Sequence, residues 1–273
     1  MPEVPGAVGR SWLWLAGSFV VAVLWAQTTW AMGRAEGGRV AKLVERVRSW
    51  RTSPWFLQVL RLLYYVGVPL AALMLGPVDL GGANERYLGI AVGAGMGGAP
   101  TDGWLDWAER AGVAAVVAVG AWVILALGWS GYRWALVRGG MTSAPTVRTS
   151  GWVLLREAAF HEVHWAFYRN APAYALAELG GLSADQYWSV WWGLAPVAFE
   201  AVLNPAWRRQ LSDAERAPAL LQKASLAVVS AVLFGMTNSL LLAIAVHWGV
   251  SWGLQRWTAT HPLPAREDEN STD

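Results

Sequence analysis

The stretch Ser11–Met32 (SWLWLAGSFVVAVLWAQTTWAM) holds 22 residues without a single charge, and no other feature narrows the fold as much. About 20 apolar residues wound into a helix cross the roughly 30 Å hydrocarbon layer of a bilayer. A helix that is apolar on every side finds few places in a soluble core. The stretch therefore reads as membrane-spanning. A secretory signal fits less well, because the run exceeds the usual h-region, Trp25 and Trp30 stand where a small-x-small cleavage site belongs, and more spans follow.

Six further apolar segments run from Trp55 to Leu75, Ala108 to Trp129, Trp152 to Tyr168, Ala184 to Leu203, Ala219 to Met236 and Ser239 to Trp257. The expected architecture is an all-α, polytopic transmembrane helix bundle of about seven spans, embedded in the lipid bilayer of the cell membrane. Placing the odd-numbered connections on one face gathers sixteen of the 21 Lys and Arg residues there. The opposite face keeps four, namely Arg10, Arg86, Arg110 and Arg169, and Arg61 is left inside the second span. By the positive-inside tendency the N-terminus lies outside and the C-terminus in the cytoplasm. Many of the 20 tryptophans flank these segments, as Trp12, Trp30, Trp55, Trp104, Trp107, Trp252 and Trp257 do, which suits indole rings at headgroup depth.

The chain has no cysteine, so disulfides, thiolate nucleophiles and Cys-ligated metals are excluded by arithmetic. Residues 1–107 read as an N-terminal membrane region with two spans, a basic cytoplasmic segment and a Gly-rich outer loop. Residues 108–258 form the helical core and 259–273 a disordered acidic tail. Within the basic segment, Val40, Leu43, Val44, Val47 and Trp50 recur at helical intervals between cations. That pattern suits either an amphipathic helix on an anionic leaflet or a solvated connector covering the bundle. Gly93, Gly95 and Gly98 formally match G-x-G-x-x-G, but a dinucleotide fingerprint needs a soluble βαβ unit. The loop from Gly76 to Gly103 reads instead as re-entrant or flexible.

One segment breaks the apolar pattern. LREAAFHEVHWAFYR, residues 155–169, brings two glutamates, two histidines and two arginines into a span. At 100° per residue, Glu157, His161, His164 and Tyr168 share an arc of about 60°, with Glu162 on an adjacent face. Ionisable groups facing lipid cost a few kcal/mol each, so this stripe is expected to face protein. His161 and His247 both lie near mid-span and are placed to meet, with Asn238 and Ser251 on or beside the last span. The set suits general acid–base work, metal ligation or proton relay, or interhelical hydrogen bonds that only fix helix order. HEVH spaces its histidines three apart, unlike the HExxH of zinc proteases, and no metal or cofactor is expected.

Together, the polar helix REAAFHEVHWAFYR and the later LFGMTN and SLLLAIAVHWGVSW resemble the CPBP family of membrane proteins, the CAAX proteases and bacteriocin-processing proteins. That family carries E-E-x-x-x-R, F-x-x-x-H and H-x-x-x-N motifs, and the likeness covers approximately residues 150–257. If His161 and Glu162 take the paired-Glu positions, Ala166 takes that of Arg; if Arg169 is the Arg, the pair becomes His164 and Trp165. Phe234 begins the second motif with Asn238 in place of its His, and His247 begins the third with Ser251 in place of Asn. The resemblance implies an intramembrane endopeptidase in which Glu162, or Glu157, activates water, while His247 with His161 or His164 orients it or stabilises the oxyanion. Asn238, Ser251 and Arg169 complete the implied site. The implied substrate is a membrane protein, as a prenylated chain or a peptide, and no nucleic acid. The alternative is a non-catalytic scaffold or partner-binding subunit of the same fold.

Overall fold

The computed structural model describes residues 10–34, 38–75, 103–139, 149–178, 190–214 and 216–260. These are helical almost throughout, with no strand among the described residues. In chain order they are α1 (Arg10–Gly33), α2 (Gly38–Ser49), α3 (Ser53–Leu62), a π-helical turn (Leu63–Gly67), α4 (Val68–Leu75), α5 (Gly103–Arg138), α6 (Gly151–Glu178), α7 (Leu194–Leu203), α8 (Pro205–Leu211), α9 (Ala217–Thr237) and α10 (Leu240–Thr260). The Gly-rich loop and nearly all of the acidic tail fall outside the described residues.

Among the described residues, four helical stretches are long and apolar enough to cross a membrane: Leu13–Gly33, Trp55–Ala72, Trp107–Arg138 and Ala217–Thr237. Val190–Leu203 is a shorter apolar helix. Their outward faces carry bare aliphatic side chains, such as Val116 at 74 % and Ile124 at 70 % exposure on α5, a surface suited to lipid rather than water. The inward face of the same helix is lined by Ala114, Ala121 and Ala126. Small side chains let helices approach closely where lipid supplies no hydrophobic drive for association. Against them pack Leu226 and Leu233 of α9 and Ala243, Val246, Val250 and Leu254 of α10, forming the main apolar core.

The α9–α10 corner is built from local chemistry. Asn238 takes φ 50°, a left-handed conformation that Asn tolerates better than most residues, and its N–H closes on the Phe234 carbonyl at 2.8 Å. Ser239 Oγ then accepts the Leu242 N–H at 3.3 Å, starting α10. The chain folds back so that α10 runs alongside α6 in the opposite direction: His247 meets Glu162, and Gln255 donates to the Thr149 carbonyl at 3.0 Å. α6 is thereby enclosed by α1, the π-helical turn, α7, α9 and α10.

Gly193, just before α7, marks the tightest crossing. A Cβ there would overlap the backbone of Arg169 and lie 2.7 Å from its Cγ. Replacing Gly193 by Ala is expected to lower stability by at least about 1–3 kcal/mol through overpacking against rigid backbone. Gly120, on α5, has nothing within 4 Å of such a Cβ, so Gly120→Ala is expected to be neutral or to stabilise by up to about 1 kcal/mol from helix propensity. Thermal melting of the two detergent-purified variants checks the contrast; equal melting temperatures would contradict the crossing.

Candidate functional site

α6 carries the polar residues, and its neighbours sort them into three centres. Glu162 and Arg169 are seven residues apart, hence on one stripe after two turns. That stripe faces α9 and α10. Glu162 has no exposed surface and Arg169 is 2 % exposed. The carboxylate is bonded on both oxygens: Oε1 accepts from His247 Nδ1 at 2.8 Å, while Oε2 accepts from Ser230 Oγ and from Arg169 Nη2 at 3.4 Å. Ser230 Oγ in turn accepts from Arg169 Nη1 at 2.7 Å. The guanidinium also lies over the Phe234 ring, 4.5 Å from its centroid. A buried ion costs several kcal/mol unless paired and hydrogen-bonded, and this arrangement meets both conditions for Glu162.

Because Nδ1 of His247 faces a carboxylate oxygen, it carries a ring proton, and in the neutral ring Nε2 then holds the lone pair. Trp165 stacks on this imidazole at 5.5 Å and 20°, holding the ring plane. His161 lies 6.0 Å from His247, centroid to centroid, and its own Nδ1 donates to the Glu157 carbonyl at 2.7 Å. Each histidine is thus fixed in the same tautomer. Neither Nε2 has a hydrogen-bond partner among the described residues. His247 therefore bonds Glu162 rather than His161, though the two rings are neighbours.

The second centre surrounds Glu200 of α7, which does not figure among the residues singled out from the sequence. Its carboxylate accepts from Tyr64 Oη at 2.8 Å, from Tyr168 Oη, and from His164 Nε2 at 3.3 Å. Tyr168 also contacts Ser18 of α1 at 3.4 Å. Three donors, none a guanidinium, hold this carboxylate. His164 is buried and its Nδ1 lacks a partner among the described residues. The signal was present: Glu200 is the sole acidic residue of the apolar segment 190–203, and such a residue defaults to a functional or paired role.

The third centre is an ion pair. Arg61 donates from Nη1 to Glu157 Oε1 at 2.7 Å and from Nη2 to Oε2, a two-pronged contact, with both side chains about a quarter exposed. Arg61, Tyr64 and Tyr65 follow one another at i, i+3 and i+4, so α3 and the π-helical turn present all three to α6. Tyr65 lies 5.4 Å from His161 and 5.2 Å from His164. π-Helical turns are frequent where function demands unusual side-chain placement.

The residues expected on one stripe thus face different neighbours: Glu157 meets Arg61, His161 the His247–Trp165 stack, and His164 with Tyr168 the Glu200 carboxylate. Asn238 ends α9 more than two helical turns before His247. Ser251 lies one turn beyond His247, with no hydrogen bond to it or to Glu162 among the described residues. Among the described residues no three His, Asp or Glu side chains stand close enough to hold a metal ion. No protein-family model, curated protein or solved structure matches the chain.

The Glu162 centre makes a direct stability prediction. Glu162→Gln keeps the shape but strands a buried guanidinium, so a loss of about 3–5 kcal/mol is expected. Glu162→Leu combined with Arg169→Met removes both charges and should recover more than half of it. Melting temperatures in detergent test this; an unchanged melting temperature for Glu162→Gln would show that the pair neutralises no buried charge.

Proposed function

We propose that the chain crosses the cell membrane seven times, N-terminus outside, and that its Glu162–His247 pair is the centre of an intramembrane hydrolase acting on peptide bonds of membrane-embedded or prenylated chains. The span count rests on seven helical stretches, of which α6, α7 and α10 are too short or too polar to stand by hydropathy alone. The orientation rests on the sixteen-to-four sorting of basic residues. The CPBP-type resemblance supplies the reaction class.

The observation that carries the chemistry is the 2.8 Å bond from His247 Nδ1 to Glu162 Oε1. With both oxygens of Glu162 occupied, this glutamate orients and the imidazole acts. His247 Nε2 takes a proton from water, the resulting hydroxide adds to the scissile carbonyl carbon, and the proton passes to the leaving amine as the C–N bond breaks. His161, whose ring lies 6.0 Å from that of His247 and whose Nδ1 donates to the Glu157 carbonyl, offers a second Nε2 lone pair that orients the attacking water.

The full enclosure of Glu162 favours a second reading, a non-catalytic membrane scaffold in which the same pair only fixes α6 against α10. The two readings separate in proteoliposomes containing a quenched fluorescent transmembrane peptide or a prenylated peptide. The first expects cleavage that falls by about 10³-fold or more in His247→Gln while the protein still inserts. Cleavage of neither peptide by the wild type, or equal cleavage by wild type, His247→Gln and the Glu157→Gln/Glu162→Gln double variant, would sink the hydrolase. The scaffold reading expects a co-purifying membrane partner retained by His247→Ala.

A further inference from the structure

At the opposite end of α1 from its N-terminus, two of the long apolar helices, α1 and α9, converge on α8. α8 packs on α1, α7 and α9. Gln27 of α1 donates to the Leu203 carbonyl at 3.1 Å, and Tyr132, near the end of α5, to the Ala214 carbonyl at 2.5 Å. The ends of α1 and α5 and the start of α9 therefore lie at one level, where membrane spans meet headgroups. A cleft of about 420 Å³ opens there, lined by Trp30, Arg209, Gln210, Ser212, Asp213 and Arg216.

We propose that this cleft binds the phosphate headgroup of an anionic membrane lipid. Two guanidinium groups, Arg34 at 4.4 Å and Arg209 at 5.9 Å, sit over the same Trp30 ring. Neither has a carboxylate partner among the described residues. Two like charges tethered to one indole repel each other, and an anion bound in the cleft beside Trp30 relieves the repulsion. Asp213 is the one carboxylate among the described lining residues, and Arg216 pairs with it at 3.4 Å, so Arg209 gives those residues a net positive charge. Gln210 and Ser212 add neutral donors for the remaining oxygens of a phosphodiester. The volume suits a glycerophosphate headgroup, with acyl chains running down the exposed apolar flank of α1, where Leu24 is 59 % exposed. Basic pockets between helix ends are where anionic headgroups lodge in membrane proteins. This inference does not rest on the hydrolase reading or on the direction of insertion.

The test is native mass spectrometry of the full chain in uncharged detergent, offered equal amounts of dioleoyl phosphatidylcholine and dioleoyl phosphatidylglycerol. Intrinsic fluorescence is a poor readout with 20 tryptophans. The wild type should retain phosphatidylglycerol preferentially, and Arg34→Gln/Arg209→Gln should lower that preference by about ten-fold. The control is Arg138→Gln/Arg256→Gln. It removes the same charge from two arginines that also cover tryptophans, Trp134 at 3.7 Å and Trp252 at 4.3 Å, and that, unlike Arg34 and Arg209, lie over a ring outside the cleft lining; it should keep the preference. Equal loss in both double variants would show diffuse surface charge only. Absence of a preference in the wild type, or displacement of the lipid by millimolar inorganic phosphate, would overturn the lipid as the ligand. Far-UV circular dichroism verifies that both variants remain helical.

Discussion

A carboxylate held among apolar helices must find enough donors to replace the water it has lost, because an unpaired charge in such surroundings costs more than the bundle gains from many van der Waals contacts. Three glutamates impose that demand around α6, and the neighbouring helices are arranged to meet it. α10 runs antiparallel to α6 and delivers His247; α9 delivers Ser230; α3 and the π-helical turn deliver Arg61 and Tyr64. Close approach follows from small residues at the crossings, with Ala158 and Ala166 of α6 fully buried and Gly193 against Arg169.

The three centres differ in how the charge is met, and so in what each suits. Glu157 has a two-pronged guanidinium contact and partial solvent access, an arrangement that fixes α3 on α6 and asks little more of either group. Glu162 has a guanidinium, a hydroxyl and an imidazole at once, so the charge is neutralised while the imidazole is oriented. Glu200 has two phenols and an imidazole, all of which can be neutral, and its negative charge has no permanent counter-ion among its bonded partners. The rings of His164, Tyr65, His161 and His247 form an unbroken series of neighbours between the last two centres.

The helix ends follow a separate logic. Arginines lie over tryptophans at the ends of α1, α5 and α10, pairing a cation that seeks headgroups with an indole that favours the same depth. At α1 the pattern is doubled, with a second arginine arriving from α8. A short helix that could not span anything by itself thereby shapes a recess lined by Arg209 and Arg216.

Much of the helical layout was legible in the residues. The segments Ala219–Met236 and Ser239–Trp257 lie within three residues of α9 and α10 at each end, because Thr237 to Ser239 interrupts two long apolar runs. The segment Trp152–Tyr168 was too short: α6 continues to Glu178, since hydropathy stops at Arg169 whereas helical hydrogen bonding does not. Helical period also showed that α6 carries a polar stripe of Glu157, His161, His164 and Tyr168, with Glu162 on an adjacent face. Which helix each stripe faces was decided only in the folded bundle. A periodic pattern fixes angles about one helix axis; it carries no information on which neighbour lies at a given angle. Hence Glu162 chose His247 and Ser230, residues 85 and 68 positions away, and Glu200, a lone charge with no period of its own, became visible only when Tyr64, His164 and Tyr168 closed around it.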